Sequence, residues 1–191
     1  MEFITTRRAC PSTIALGVLL LGLSLGCQDP VAVSHSETVS ITLSGMKPGD
    51  VDAGVVMEEK NINSDTGNPY GDFLKNATAA LGGASPARIV LDAASAKLSA
   101  DSDGILRLDQ VFSELELFIA SGNTTTPVGL ATDLSTTAVT FAITEDLDWD
   151  ALSAILVKGD FKIGIHAKVN PTTPKNWEAR FELDLNFSAF E

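Results

Sequence analysis

The amino-acid sequence predicts an all-β protein, an antiparallel β-sandwich of about seven or eight strands with two short helices. Three observations lead to this fold class. Segments in which apolar and polar residues alternate recur along residues 37–191, turn-forming residues separate them, and only two segments have the spacing of an amphipathic helix. Short alternating strands between turn signals are typical of a sandwich.

The clearest predicted strand covers residues 177–190. Apolar residues from Trp177 to Ala189 hold every second position, and polar residues hold the positions between them. Residues 160–169 alternate in the same way, with His166 on the polar face. Successive side chains of a strand point to opposite faces, so each strand should bury one face. We expect the loop Asn170–Lys175 to join the two strands as a hairpin.

Six earlier strands follow from the same pattern, and they alternate less regularly than the two strands above. They are predicted at Thr38–Ser44, Gly54–Glu59, Ala87–Ser99, Gln110–Ala120, Val128–Thr132 and Thr136–Thr144.

Two helices interrupt the strands. The first begins at Asn68-Pro69, a typical N-cap followed by a first-turn proline, and ends at Gly82-Gly83. The second covers Asp148–Lys158, with Gly159 as its stop. Both carry apolar residues at helical spacing, so each should pack one side against the core. Taken together, the elements resemble the small immunoglobulin-like sandwiches of envelope lipoproteins, a likeness of architecture that carries no function.

The first 26 residues have the features of a secretory signal peptide. Arg7 and Arg8 form a basic start, Ile14–Leu25 is an uncharged apolar run, and Gly26 precedes Cys27. The run is shorter than the roughly 20 apolar residues that a membrane-spanning helix needs. Residues 1–26 are therefore predicted to direct export and to be removed.

Cys27 adds a second prediction. The segment LSLGC, residues 23–27, resembles the lipobox of bacterial lipoproteins, although Ser24 and Leu25 stand in the reverse of the usual order. The resemblance implies a diacylglycerol on the Cys27 thiol and an acyl chain on its amine. It also implies outer-membrane sorting, because Gln28 and not Asp follows the cysteine. Residues 27–36 would form a lipidated tether, and two or more acyl chains would anchor the protein stably. The alternative is ordinary signal cleavage, which would leave Cys27 as a free thiol.

Charge and cysteine content narrow the function classes. Removal of residues 1–26 takes away two of the 13 basic residues and one of the 25 acidic residues, which leaves a net charge of −13. Such an acidic chain, with no Lys/Arg cluster after the signal, is unsuited to nucleic acid. Cys10 lies in the signal and Cys27 would carry lipid, so residues 28–191 have no disulfide and no thiolate chemistry.

The best candidate metal site is SADSDGILRLDQ, residues 99–110. Asp101, Asp103, Gly104 and Leu106 fit positions 3, 5, 6 and 8 of a calcium-binding loop, whereas Ser99 and Gln110 do not fit positions 1 and 12. Asp101 and Asp103, with Asp109, are the candidate Ca²⁺ ligands. The alternative is a turn between strands, for which Asp-Gly is a strong signal.

Catalytic patterns are weak. His35 lies in the predicted tether and His166 on a strand's polar face, where a histidine needs no partner. The sequence contains no G-x-S-x-G, H-E-x-x-H, P-loop or G-x-G-x-x-G motif. The acidic segment 145–150 fits the first turn of a helix, where carboxylates oppose the helix dipole. Both tryptophans fit core-facing positions.

Three functions follow as hypotheses. The favoured one is a lipid-anchored lipoprotein of the cell envelope, without enzymatic activity or cofactor, that binds an envelope protein or ligand or supports an assembly. The second is a calcium-dependent binding or adhesion module. The third is an envelope hydrolase that uses paired carboxylates, because acidic residues are plentiful and their separation in space cannot be read from sequence.

Overall fold

The computed structural model describes residues 34–65 and 67–191, so the predicted signal peptide and Cys27 lie outside the described residues. The described residues form nine strands and two α-helices. The strands are β1 (Ser34–Met46), β2 (Val55–Ile62), β3 (Arg88–Leu98), β4 (Phe112–Ser121), β5 (Thr124–Ala131), β6 (Ala138–Thr140), β7 (Ala142–Ile143), β8 (Phe161–Val169) and β9 (Ala179–Phe190). The helices are α1 (Pro69–Ala80) and α2 (Trp149–Lys158).

The strands form two antiparallel sheets. The four-stranded sheet has the order β1-β9-β3-β6, and the five-stranded sheet has the order β2-β8-β4-β5-β7. The predicted all-β sandwich with two short helices is confirmed. Its strand order differs from that of immunoglobulin constant domains, in which the first and last strands lie in opposite sheets. Here the first and last described strands are neighbours.

The predicted hairpin of the last two strands is wrong. Both strands exist, but β8 pairs with β2 and β4, whereas β9 pairs with β1 and β3. The connection at residues 170–178 therefore crosses from one sheet to the other. Each strand has a fully apolar inner face, so each takes an internal place in its own sheet, where that face meets the other sheet across the core.

The predicted strand Thr136–Thr144 is two strands. Residues 138–140 pair with β3, and residues 142–143 pair with β5 in the other sheet. The chain changes sheets at Phe141, which is buried and whose N–H donates to the Ala94 carbonyl oxygen at 2.9 Å. Because the Phe141 ring is buried between the sheets, the residues before it pair with one sheet and the residues after it pair with the other.

The core lies between the sheets, and the strand residues predicted to face inward point into it. The apolar residues of β9 from Ala179 to Ala189 are all buried, as are Phe161, Ile163 and Ile165 of β8. Aromatic rings gather at both ends of the core. Tyr70, Phe73, Phe161 and Phe187 pack at one end, and Phe112, Trp177 and Phe181 pack at the other. The predicted core position of Trp177 is confirmed, and Trp149 packs half-buried at the core margin.

Both helices begin and end as the sequence indicates. The Asn68 side chain accepts a hydrogen bond from Tyr70 N at 3.0 Å, and the Asp148 side chain accepts one from Ala151 N at 3.0 Å. Gly159 closes α2 in the left-handed conformation, at φ 66°. The two helices lie at the same end of the sandwich, which we call the helix end. The loops 47–54, 99–111, 132–137 and 170–178 lie at the opposite end, the loop end.

Strand β1 begins earlier than predicted. Residues 34–36, which the sequence analysis placed in the tether, are part of β1 and pair with residues 188–190 of β9. The alternation is hard to see here because His35 and Glu37 occupy inward-facing positions. Their polar side chains are accommodated because α1 covers this end of the strand, with Asn76 donating to both Glu37 carboxylate oxygens at 3.0 and 3.3 Å.

The free edge of β1 is occupied by side chains of β2. Lys60 Nζ donates to the Thr42 carbonyl oxygen at 3.4 Å, and the Glu58 carboxylate accepts hydrogen bonds from Ser44. Burial raises the pKa of Glu58, and the hydrogen bonds from Ser44 partly oppose that shift. Inward-pointing charges at a sheet edge discourage pairing with another chain. The two sheets are therefore joined along this side by charged side chains and not by a shared strand.

Among residues 34–65 and 67–191, no helix combines the length and the hydropathy needed to cross a bilayer.

Candidate functional site

The predicted calcium ligands lie at the loop end, where they make different contacts. Asp103 forms a two-way backbone bridge with Glu178, which fixes the turn that Gly104 completes. The Asp109 carboxylate accepts a hydrogen bond from Arg107 Nε at 3.1 Å. Across the described parts of the chain, no three His, Cys, Asp or Glu side chains are arranged to hold a metal ion. The structure thus gives Asp101, Asp103 and Asp109 no common centre.

Gln110 also has a structural role in this loop. Its side-chain oxygen accepts hydrogen bonds from the backbone nitrogens of Leu106 at 2.9 Å and Arg107 at 3.3 Å. A calcium loop needs a bidentate carboxylate at this position. The Gln110 amide instead closes a 3₁₀ turn, Leu108–Gln110, so the geometry matches the turn that the sequence analysis held as the alternative.

His35 lies in β1, where it contacts Glu37 and Phe73. Its Nε2 lies 3.1 Å from Glu37 Oε2, and its ring stacks on Phe73 with 6.1 Å between centroids. The hydrogen bond from Asn76, aided by His35, lowers the pKa of Glu37, with partial burial opposing the shift. This group fastens β1 to α1 at the helix end.

A second histidine group lies on the outer face of the five-stranded sheet. Three adjacent strands present their outward side chains here in cross-strand rows, since β2 pairs with β8 and β8 pairs with β4. His166 of β8 stands between Met57 of β2 and Glu116 of β4. One row further along, Gly164 stands between Glu59 and Phe118. We call the four side chains Met57, Glu116, Phe118 and His166 the His166 group.

Phe118 is unusual because it points outward and is nevertheless only 1% exposed. It lies over Gly164, where an added Cβ would come within 2.6 Å of Phe118 Cζ. The His166 ring stacks on it with 4.4 Å between centroids and 25° between planes. Because Gly164 has no side chain, the Phe118 ring can lie against the sheet and support the His166 ring.

Each nitrogen of the His166 ring has a close neighbour. Nδ1 lies 3.0 Å from Glu116 Oε1, and Nε2 lies 3.1 Å from Met57 Sδ. Met57 is 49% exposed. Flanking pairs balance the charge around the group: Lys168 Nζ lies 2.6 Å from Glu114 Oε1, and Lys162 pairs with Glu59. A shallow groove of about 260 Å³ runs beside the histidine.

The groove beside His166 is lined mainly by ionisable side chains. Its lining consists of Val55, Glu114, Glu116, His166 and Lys168, none of which carries a hydroxyl or thiol nucleophile. A histidine oriented by a carboxylate supplies two of the three members of a nucleophilic triad, which also needs the nucleophile within hydrogen-bond reach. Beside this lining, the Met57 sulfur lies 3.1 Å from His166 Nε2, and a thioether sulfur and an unprotonated imidazole nitrogen are both electron-pair donors.

The His166 group was missed from sequence. Alternation correctly placed His166 on a polar face and predicted a strand containing Met57, but 109 residues separate the two. Alternation shows which face a residue takes and does not show which strand is the neighbour. A register prediction for β2, β4 and β8 would have been needed to bring these residues together.

Comparison of the chain with protein-family models finds no match, and comparison with characterised proteins finds no significant match. The fold and the geometry of its side chains are therefore the basis for a functional proposal.

Proposed function

We propose that this protein is a lipid-anchored lipoprotein of the cell envelope whose β-sandwich binds a partner without catalysing a reaction. One observation carries the proposal: an uncharged run, Ile14–Leu25, follows Arg7 and Arg8 and stops at Gly26-Cys27. A basic start, an apolar run and a small residue at the cleavage position are typical of a secretory signal peptide, and two or more acyl chains on the cysteine would anchor the protein stably. Outer-membrane sorting, suggested by Gln28, is part of the proposal.

The short connection would hold the domain close to the bilayer. Seven chain steps separate Cys27 from Ser34, and at about 3.5 Å per residue they reach at most about 25 Å. Ser34 lies at the helix end, beside Phe190. Leu106, 79% exposed at the loop end, is a suitable contact for a partner.

A binding role is also supported by how the carboxylates of the groove beside His166 are used. Glu114 pairs with Lys168, and Glu116 pairs with His166. A glycoside hydrolase needs one carboxylic acid and one free carboxylate facing a common substrate. The paired state of these groups favours a rigid, charge-balanced surface over acid catalysis.

The anchor is tested by intact mass of the protein extracted from membranes. We expect a chain that begins at Cys27 and carries the added mass of a diacylglycerol and an acyl chain. Cys27→Ala should abolish both cleavage and acylation. Cys10→Ala is the matched control, because it removes the other cysteine of the chain from within the predicted signal and should leave the processed mass unchanged.

The proposal fails if the native protein is an unmodified chain in the soluble fraction, or if Cys27→Ala keeps the wild-type lipid mass. A catalytic role would instead require an activity that is lost on substitution of a groove carboxylate such as Glu114→Gln while the fold is retained.

A further inference from the structure

We propose that Met57 and His166 form a copper(I) binding site, with Met57 Sδ and His166 Nε2 as the two protein ligands. The two atoms lie 3.1 Å apart on neighbouring strands, and Met57 as a residue is about half-exposed. The inference does not depend on the lipid anchor, since both ligands belong to the β-sandwich.

The tautomer of His166 leads to this site. Glu116 is an acceptor placed 3.0 Å from Nδ1, so a neutral imidazole keeps its proton on Nδ1 and donates it to the carboxylate. Nε2 then presents its lone pair toward a thioether sulfur that has no proton to give. Two electron-pair donors face each other, and a cation between them would satisfy both. Histidines that bind metals commonly donate their other ring nitrogen to a carboxylate in this way.

The spacing suits a bound metal ion. With bond lengths of about 2.0 Å to imidazole nitrogen and about 2.3 Å to sulfur, two ligands at an angle of about 90–120° lie about 3.0–3.7 Å apart. The observed 3.1 Å falls in that range. Met57 and His166 are direct partners across β2 and β8, and Phe118 supports the imidazole from below, so the arrangement is held by the sheet.

The ligand types select the metal. Thioether sulfur is a soft ligand that favours copper(I), whereas calcium and magnesium prefer oxygen. Two protein ligands leave the exposed side of the ion for solvent or for a donor from a partner. Silver(I) shares this preference for soft ligands and does not change oxidation state under the assay conditions, so it is the probe of choice.

The test is NMR of the full chain labelled with ¹³C at the methionine methyl groups. The chain has three methionines, so three signals report on Met1, Met46 and Met57. Cys10 and Cys27 are replaced by serine, because free thiols would compete for the probe. On addition of silver(I) in chloride-free buffer, we expect the Met57 signal to shift and saturate at one equivalent, while the signal of buried Met46 stays in place.

Variants separate a site from an adventitious contact. Met57→Leu and His166→Gln should each weaken silver(I) binding at least tenfold, and Glu116→Ala should weaken it roughly ten- to a hundredfold through loss of ring orientation. His35→Gln is the matched control, because His35 also pairs with a glutamate and stacks on a phenylalanine but has no described contact with a methionine sulfur. It should bind as the wild type does.

Copper(I) itself, added anaerobically with a reductant, should displace silver(I) and produce the same Met57 shift. An unshifted Met57 signal at one equivalent of silver(I) overturns the site, as does binding that survives Met57→Leu. A Met57 shift that persists unchanged in His166→Gln would show a lone methionine contact and would also overturn it.

Discussion

Gly164 illustrates how a single position sets the packing between two strands. A Cβ there would overlap the Glu58 carbonyl oxygen of β2 and come within 2.6 Å of the Phe118 ring. The first of these neighbours is backbone, so a side chain at this position would push β2 away from β8. The same glycine gives Phe118 room to lie flat and support His166. The pairing of β2 with β8 and the geometry of the His166 group therefore both depend on the absence of a side chain at Gly164.

Gly164→Ala is expected to destabilise the fold by about 1–3 kcal/mol, the usual cost of overpacking. It should also disturb the His166 group, seen as a change in the Met57 methyl resonance. Urea unfolding measures the first effect. Gly49→Ala is the control: a Cβ there has no atom within 4 Å, so the change should stay within about 0.5 kcal/mol. Equal stability of the two variants would contradict the packing argument.

Glu37 and Glu58 show opposite pKa shifts from contrasting surroundings. The hydrogen bond from Asn76 lowers the pKa of Glu37 below 4.5, so its contribution to stability is present above that pH and is lost as pH falls through the lowered value. Burial raises the pKa of Glu58, so its contribution is present below 4.5 and is lost as pH rises through the raised value.

Glu37→Gln is therefore expected to be less stable than wild type at pH 7 and to approach it at pH 3. Glu58→Gln should move in the opposite direction, gaining on wild type between pH 3 and pH 7. Urea unfolding of the three proteins at both pH values checks this. A parallel response of the two variants would show that the surroundings of these carboxylates are not as the structure has them.

At the scale of elements, the helices were predicted more accurately than the pairing of the strands. Helix ends depend on neighbouring residues, such as Asn68 beside Pro69 or Asp148 beside the first turn, so local sequence is sufficient. Strand partners depend on residues far away. The alternation of β8 and β9 is nearly identical, and nothing in it shows that the loop between them crosses the sandwich. The start of β1 was not predicted for a related reason. Its inward-facing residues His35 and Glu37 are polar, and they are covered by α1, which is distant in sequence.

Asp148 tests the local rule for helix ends. Asp148→Ala removes the oxygen that accepts from Ala151 N and should cost about 1 kcal/mol. Asp148→Asn keeps a capping oxygen and should recover most of that loss. Thermal unfolding measures both variants. If Asp148→Asn is as damaging as Asp148→Ala, the contribution comes from the charge near the helix dipole and not from the cap.

At the scale of the whole molecule, several acidic residues have structural roles. Asp148 caps a helix, Asp109 pairs with Arg107, and Asp103 takes part in a backbone bridge. These roles could not be inferred from the sequence, in which the partial match of residues 99–110 to a calcium-binding loop suggested calcium. The strong net charge keeps its general role of favouring solubility.

Addition of millimolar calcium, followed by a chelator, is therefore expected to leave the thermal unfolding midpoint unchanged. A ligand that binds only the folded state raises stability by about 2.7 kcal/mol at a hundred times its Kd, so a real site would be visible. A calcium-dependent rise that disappears in Asp103→Asn would contradict this expectation and restore the calcium hypothesis.

The place of β9 in the four-stranded sheet has a consequence for the order of folding. β1 and β3 do not touch each other as neighbours in the sheet; each pairs with β9, which follows every other described strand in the chain. The Ser36–Ser188 contact alone spans 152 residues. Pairings so distant in sequence make folding slow. The four-stranded sheet cannot form until β9 has emerged, so β1 and β3 of a nascent chain would lack their shared partner strand until then. That delay suits a polypeptide that is threaded across a membrane before it folds.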